Sequence, residues 1–138
     1  TLLEEIGTLL VHGIPMRPAA PTGFGLIGQR KVFLLPGNPV SCLSAYDCFV
    51  GLALRRLGGL SEDWPYRKTK LPLRSKIASQ IGRIEYVRLQ IQEGKAEPIA
   101  SGGASILSST TRADGFLLTQ EFSEGFAEGE EVELWLYD

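Results

Sequence analysis

Histidine is almost missing from this chain: His12 stands alone among 138 residues. It could serve as an acid–base group. With no matched carboxylate in view, it reads instead as a structural or surface residue. Cysteine is nearly as scarce. Cys42 and Cys48 lie six residues apart on an expected helix. That spacing puts them on different faces, where an intrahelical disulfide is geometrically poor. Two such thiols without a nearby histidine do not make a metal site either, so they read as small buried hydrophobes in a reducing cytosol. No apolar run approaches the ~20 residues of a membrane-spanning helix. Residues 1–15 lack the basic start and cleavage pattern of a signal peptide. A cytoplasmic protein without a membrane partner is therefore expected. A surplus of positive charge is also lacking: 14 Lys and Arg face 16 Asp and Glu. The electrostatic footprint of a nucleic-acid binder is absent. No internal repeat or low-complexity tract stands out. Residue 1 is Thr, and the sequence opens inside a helical pattern, so a piece of a longer protein is expected.

What is present centres on Leu34-Leu35-Pro36-Gly37-Asn38-Pro39-Val40-Ser41. The run Val32-Phe33-Leu34-Leu35 reads as a strand buried on both faces, as in a parallel sheet. A helical pattern follows from Pro39 to Leu57. Asn38 suits the N-cap and Pro39 the first helical position, where no donor is needed. Gly37 permits a sharp turn or close approach to a ligand. A strand, a tight loop and a helix N-terminus form an anion site if the unpaired amides point outward. A turn built for backbone reasons alone fits these residues equally well.

The rest of the chain falls into two halves. Leu2 to Leu10 reads as the end of a helix, and Val11, Ile14 and Met16 as a short extended piece. Residues 17–25 (Arg-Pro-Ala-Ala-Pro-Thr-Gly-Phe-Gly) form a loop headed by Arg17. A guanidinium there suits an oxyanion, since its donors make a planar fork. Gly28-Gln29-Arg30-Lys31 reads as a hairpin turn. On the long helix, Leu43, Tyr46, Val50, Ala53, Leu54 and Leu57 make one stripe, with Cys42 and Phe49 alongside, and are expected in the core. Arg55-Arg56 suit its C-terminal end, and Gly58-Gly59 stop it. Leu60 to Tyr66 reads as a linker. From Lys68 the period changes to two. Leu71, Leu73, Ser75 and Ile77 form one alternating set, Val87, Leu89 and Ile91 a second, and Val132, Leu134 and Leu136 a third, with Phe116-Leu117-Leu118 between. Gly-bearing turns separate them, which argues for a small antiparallel barrel or sandwich. Ser101 to Ser105 and Ser108 to Thr111 give a Gly/Ser/Thr-rich loop able to offer amides and hydroxyls to an anion, though by composition alone a plain turn fits better.

Taken in order, these pieces resemble the molybdopterin molybdotransferase family (MoeA type, including the gephyrin E-domain). Leu35-Pro36-Gly37-Asn38-Pro39-Val40-Ser41 resembles its strand–loop–helix motif. Gly82-Arg83-Ile84-Glu85-Tyr86-Val87-Arg88 resembles its glycine-arginine, acidic-aromatic strand. Ser101 to Ser109, Ala113-Asp114-Gly115-Phe116 and Gly129-Glu130-Glu131-Val132 resemble its later loop, turn and closing strand. The resemblance implies a partial α/β unit at 1–60, the end of a molybdopterin-binding domain. A C-terminal β-barrel domain would follow at 67–138.

The resemblance also implies function. Family members insert molybdate into adenylylated molybdopterin with release of AMP, assisted by Mg2+. Pro36, Gly37, Asn38, Pro39 and Ser41 would line the pterin-phosphate and molybdate pocket. Arg17, Ser41, Arg83 and Ser105 would hold the oxyanion by position and charge. The Mg2+ ligands would lie upstream of Thr1, leaving no metal ligand in this chain and the piece inactive by itself. A homodimer and the molybdopterin adenylyltransferase are the implied protein partners. Where the family commonly has Lys-Pro-Gly-Lys-Pro, this chain has Arg17-Pro18-Ala19-Ala20-Pro21, which keeps the first charge and loses the second. That loss also fits a different reading: a dimeric, peptide-binding scaffold of the gephyrin type that kept the fold and lost the chemistry.

Overall fold

The computed structural model describes residues 1–99 and 107–137. The chain folds as two units, Thr1–Trp64 and Pro65–Asp138.

In the first unit, helix α1 (Leu2–Ile6) leads into strand β1 (Thr8–His12). The expected helix thus ends four residues early. Gly7 is the reason: its backbone is extended, and a Cβ there would stand 2.2 Å from the Leu26 carbonyl oxygen. Leu9 and Leu10 therefore belong to a strand. An apolar run this short fits either period, so the sequence could not separate the two. Met16–Arg17 (β2) is a short extended segment, and Gly23–Ile27 (β3) and Arg30–Leu34 (β4) form the expected hairpin. The sheet order is β1-β3-β4, antiparallel throughout, with a bulge in β1 between Leu9 and Val11. Val32, Phe33 and Leu34 are half-buried on an outer strand. This corrects the expectation of a parallel strand covered on both faces: β4 has a described neighbour on one side only.

The long helix forms over the expected span but in three segments: α2 (Pro39–Ala45), a π-helical turn (Tyr46–Val50) and α3 (Gly51–Leu57). Its buried side is Val40, Ser41, Ser44 and Ala45. Leu43, Tyr46, Phe49, Leu54 and Leu57 are exposed, which reverses the expected core stripe. Small residues let the helix approach its support closely. The i→i+5 winding of the π turn changes the phase only of the residues that follow it, Leu54 and Leu57 among them. Its stop is as expected. Gly59, at φ +73°, is the C′ residue of a Schellman motif, with Leu60 N donating to Arg55 O (2.9 Å) and Gly59 N to Arg56 O (3.1 Å). The stretch read as linker is tied down: Trp64 Nε1 donates to the Asp47 carbonyl at 2.7 Å.

In the second unit, β5 (Arg67–Pro72), β6 (Ile77–Ala78), β7 (Ile84–Gln92), β8 (Lys95–Pro98), helical turn α4 (Ser108–Thr111), β9 (Gly115–Leu118), β10 (Gly125–Phe126) and β11 (Glu131–Leu136) follow in order. The main antiparallel sheet runs β8-β7-β9-β11-β5, and β6 pairs β10. Glu93 and Gly94, at φ +51° and +72°, make the two-residue turn between β7 and β8. The alternating residues point where the period placed them. Leu73, Ile77, Leu89, Ala96, Leu117, Val132 and Leu134 are the buried core, with Leu71, Val87, Ile91 and Leu136 packed on it. Among the described residues the sheet is not closed by a ladder, so of the expected barrel they show the antiparallel strands and not the closure. Its outer strands meet at the Leu73–Ala96 bridge and at the Arg74 amide, which donates to Ala96 O at 2.8 Å. β5 ends at Pro72 and β8 at Pro98, and proline has no amide with which to extend that seam.

Candidate oxyanion-binding elements

In the first unit, Gly23 opens β3 opposite both His12, which ends β1, and Leu34, which ends β4. Two loops singled out from the sequence, that headed by Arg17 and that from Pro36, therefore leave the sheet at the same end. In the first loop the Ala19 carbonyl accepts Thr22 N (2.9 Å) and Thr22 Oγ1 (2.6 Å), and Ile14 N donates to Ala20 O (2.9 Å). Ala19 itself is buried at φ +123°, where the resembled pattern carries glycine. The folded loop leaves Arg17 exposed, and Ala20 is exposed beside it.

In the second loop, Asn38 is the N-cap, in extended conformation, with Pro39 at N1. Its Oδ1 accepts Val40 N (3.2 Å) and Ser41 N (3.4 Å). Pro39 has no amide, so the first helical donors are already engaged. The expected set of outward-pointing helix amides is corrected to that extent. What the loop offers an anion is the Ser41 hydroxyl, the Asn38 side-chain amide, the Gly37 backbone and the positive end of the helix dipole. Ser41 is buried, and nothing stands within 4 Å of the space a Cβ on Gly37 would fill. The loop is thus open at Gly37 and closed at Ser41.

In the second unit, Arg83 precedes β7 and is half-buried. Ser105 lies outside the described residues. The residue that sequence reasoning passed over is Arg88, in the middle of β7. It is only 8% exposed, and its Nε is buried with no hydrogen-bond partner among the described residues. Thr110 Oγ1 is buried in the same condition. Arg88 lies opposite Phe116 in the β7–β9 ladder and shares its face with Tyr86. Phe116 stacks on Tyr86 with ring centroids 4.5 Å apart, on Tyr137 at 5.4 Å and on Trp135 at 5.5 Å. Burial pushes the Arg88 pKa below the ordinary guanidinium range, opposed by the phenols of Tyr137 and Tyr86. A buried Nε–H without an acceptor is costly unless a ligand oxygen pairs with it.

Elsewhere the first unit holds a cavity of about 760 Å³ lined by Val11, Ile14, Phe24, Phe33, Phe49 and Leu57 among others, with Lys31, Arg56 and Cys48 in its wall. Both cysteines are free and half-buried, and burial, with a smaller effect of Asp47, pushes the Cys48 thiol up to about 12. Among the described residues no group of three His, Cys, Asp or Glu could hold a metal ion, and no helix is long and apolar enough to cross a membrane. The described residues thus do not fit the implied Mg2+.

Residues 70–137 match the family described as MoeA C-terminal region (domain IV). A Methanocaldococcus jannaschii protein named for molybdopterin biosynthesis is 34% identical over 135 residues, 97% of this chain and 31% of its own length. Molybdopterin molybdenumtransferase 1 of Mycobacterium tuberculosis is 30% identical over 146 residues, covering 97% of this chain and 34% of that protein. The crystal structure of the molybdopterin biosynthesis MoeA protein of Pyrococcus horikoshii superposes with a TM-score of 0.86 at 35% identity, over 97% of this chain and 33% of that one. The chain spans about a third of the length of these relatives. With the strand–loop–helix motif, the β-rich second unit and these matches in agreement, the chain belongs to the MoeA family of molybdenum cofactor biosynthesis.

Proposed function

We propose that this chain supplies oxyanion-holding elements to a molybdopterin molybdotransferase, which inserts molybdate into adenylylated molybdopterin and releases AMP. The observation that carries the reading is Arg88, nine-tenths buried with an unpartnered Nε among the described residues. A tetrahedral oxyanion or a phosphate ester is the chemistry that satisfies such a group. Arg17, Arg83 and Ser105 are further candidates for the oxyanion. Pro36, Gly37, Asn38, Pro39 and Ser41 are candidates for the pterin phosphate and molybdate. Their work is to orient two anions and to offset charge that builds as they approach, with no nucleophilic attack by the protein. Mg2+, a homodimer and the molybdopterin adenylyltransferase belong to the same proposal, for the longer protein.

The test is molybdate-dependent AMP release by the full-length protein. Arg88→Ala, Ser41→Ala and Arg17→Ala should each lower it at least tenfold, the scale of a lost charge-assisted contact. A folded full-length protein that releases no AMP would overturn the reading. A second reading, a peptide-binding scaffold, draws support from Dictyostelium discoideum gephyrin, 38% identical over 74 residues, and from Ala20, which carries no charge. Peptide binding without any response to molybdate would select it.

A further inference from the structure

We infer that Tyr86 and Tyr137 are positioning residues for the Arg88 guanidinium, fixing its plane for an incoming oxyanion; this rests on the reading of Arg88 as an anion-binding group. A guanidinium recognises an oxyanion by a planar fork, so its orientation decides the geometry of the contact. A guanidinium normally takes its orientation from acceptors, and the buried Nε of Arg88 has none among the described residues. Ring walls remain. Strand alternation puts Tyr86 and Arg88 on one face of β7, and Phe116 stands directly across the ladder from Arg88. Tyr86 lies on Phe116 at an interplanar angle of 13°, and Tyr137 at 30°. The two phenol oxygens are 2.5 Å apart. Tyr137 is held a third time, by its backbone amide, which donates to the Asp114 carbonyl at 3.0 Å. Its ring is thus tied to β9 by stacking, to β7 by the hydroxyl and to the turn before β9 by the backbone. Such a wall does not swing, and the side chain beside it loses rotamers before any anion arrives. The entropy of ordering the fork is then already spent when the anion binds.

The hydroxyl-to-hydroxyl bond is the removable part of this wall. Tyr137→Phe and Tyr86→Phe keep the rings and delete the bond. Two measurements on the full chain test the inference. The first needs no anion: hydrogen exchange of the Arg88 side-chain Nε–H, followed by NMR. Either variant should exchange about fivefold faster, the equivalent of one net hydrogen bond. The second is calorimetric titration with molybdate, and separately with inorganic phosphate, at fixed ionic strength. Each variant should bind about fivefold more weakly. Unchanged Nε–H exchange in both variants overturns the inference. So does wild-type affinity in both, if Arg88→Ala abolishes binding, and the Arg88 reading then stands alone. Binding that survives both Arg88→Ala and Arg88→Lys overturns the Arg88 reading and the inference with it.

Discussion

Replacing Trp64 by Phe tests how the helix of the first unit is held. The indole Nε1–H donates to the Asp47 carbonyl at 2.7 Å across 17 residues of sequence. That carbonyl lies in the π-helical turn, Tyr46–Val50. Phe keeps one aromatic ring at the site, removes the donor and gives up the outer part of the indole. The lost bond is worth about 1 kcal/mol net, and the smaller ring gives up half-buried contact worth up to roughly as much again. The expected loss is therefore about 1–2 kcal/mol. For a unit of this size each kcal/mol moves the melting point by about 4–8 °C. Urea unfolding followed by circular dichroism at 222 nm reads the helix directly. The midpoint should fall with an unchanged slope, because the change removes a bond without altering the surface exposed on unfolding. A Trp64→Phe variant within about 0.3 kcal/mol of wild type would refute the argument, since the π turn would then hold itself.

Gly59→Ala should destabilise the chain by about 1 kcal/mol: nothing crowds the added Cβ, but φ is +73°, which an L side chain resists. Thermal melts would show it, and Gly59→Asn should cost less, because asparagine tolerates the left-handed region better. The Cys48 thiol gives a pH dependence. Its pKa rises from an ordinary 9.0 to about 12 on folding, so between those values the folded chain holds a proton that the unfolded chain has lost. Stability from this group is complete below pH 9 and declines above it. Urea midpoints measured from pH 8 to 10.5 should fall, and Cys48→Ala should flatten the slope; an identical slope in the variant would sink the assignment.

The second unit was more legible than the first, for a physical reason. Val87, Leu89 and Ile91, or Val132, Leu134 and Leu136, alternate strictly because one face meets the aliphatic core and the other carries polar or aromatic side chains. The Asn38-Pro39 start and the Gly59 stop of the helix were equally plain, since caps use few residue types for specific bonds. The helix interior misled because its buried side is made of Val40, Ser41, Ser44 and Ala45 rather than the large apolar residues. Leu9 and Leu10 misled because Gly7 acts through the Leu26 carbonyl, a neighbour that sequence does not show. Arg83 drew attention through its place in a motif. Arg88 had a weaker signal: a lone cation at the centre of an alternating strand, two residues from a tyrosine. Its burial and its missing acceptor belong to the fold alone.

The ladder between β5 and β11 pairs Arg67 with Leu136 and Pro72 with Glu131. The first strand of the second unit therefore has its main partner in the last. On a ribosome, β5 emerges early and must wait, unpaired, through nearly the whole synthesis of that unit. The β7–β8 hairpin can close at once, while the β5–β11 pairing bears the loop-closure entropy of some sixty residues and comes late. During that interval β5 keeps apart from other chains through Arg67, Lys68 and Lys70, whose like charges discourage edge-to-edge pairing. A nascent chain stalled a few codons short of Leu136 would lose order at both ends of the unit together.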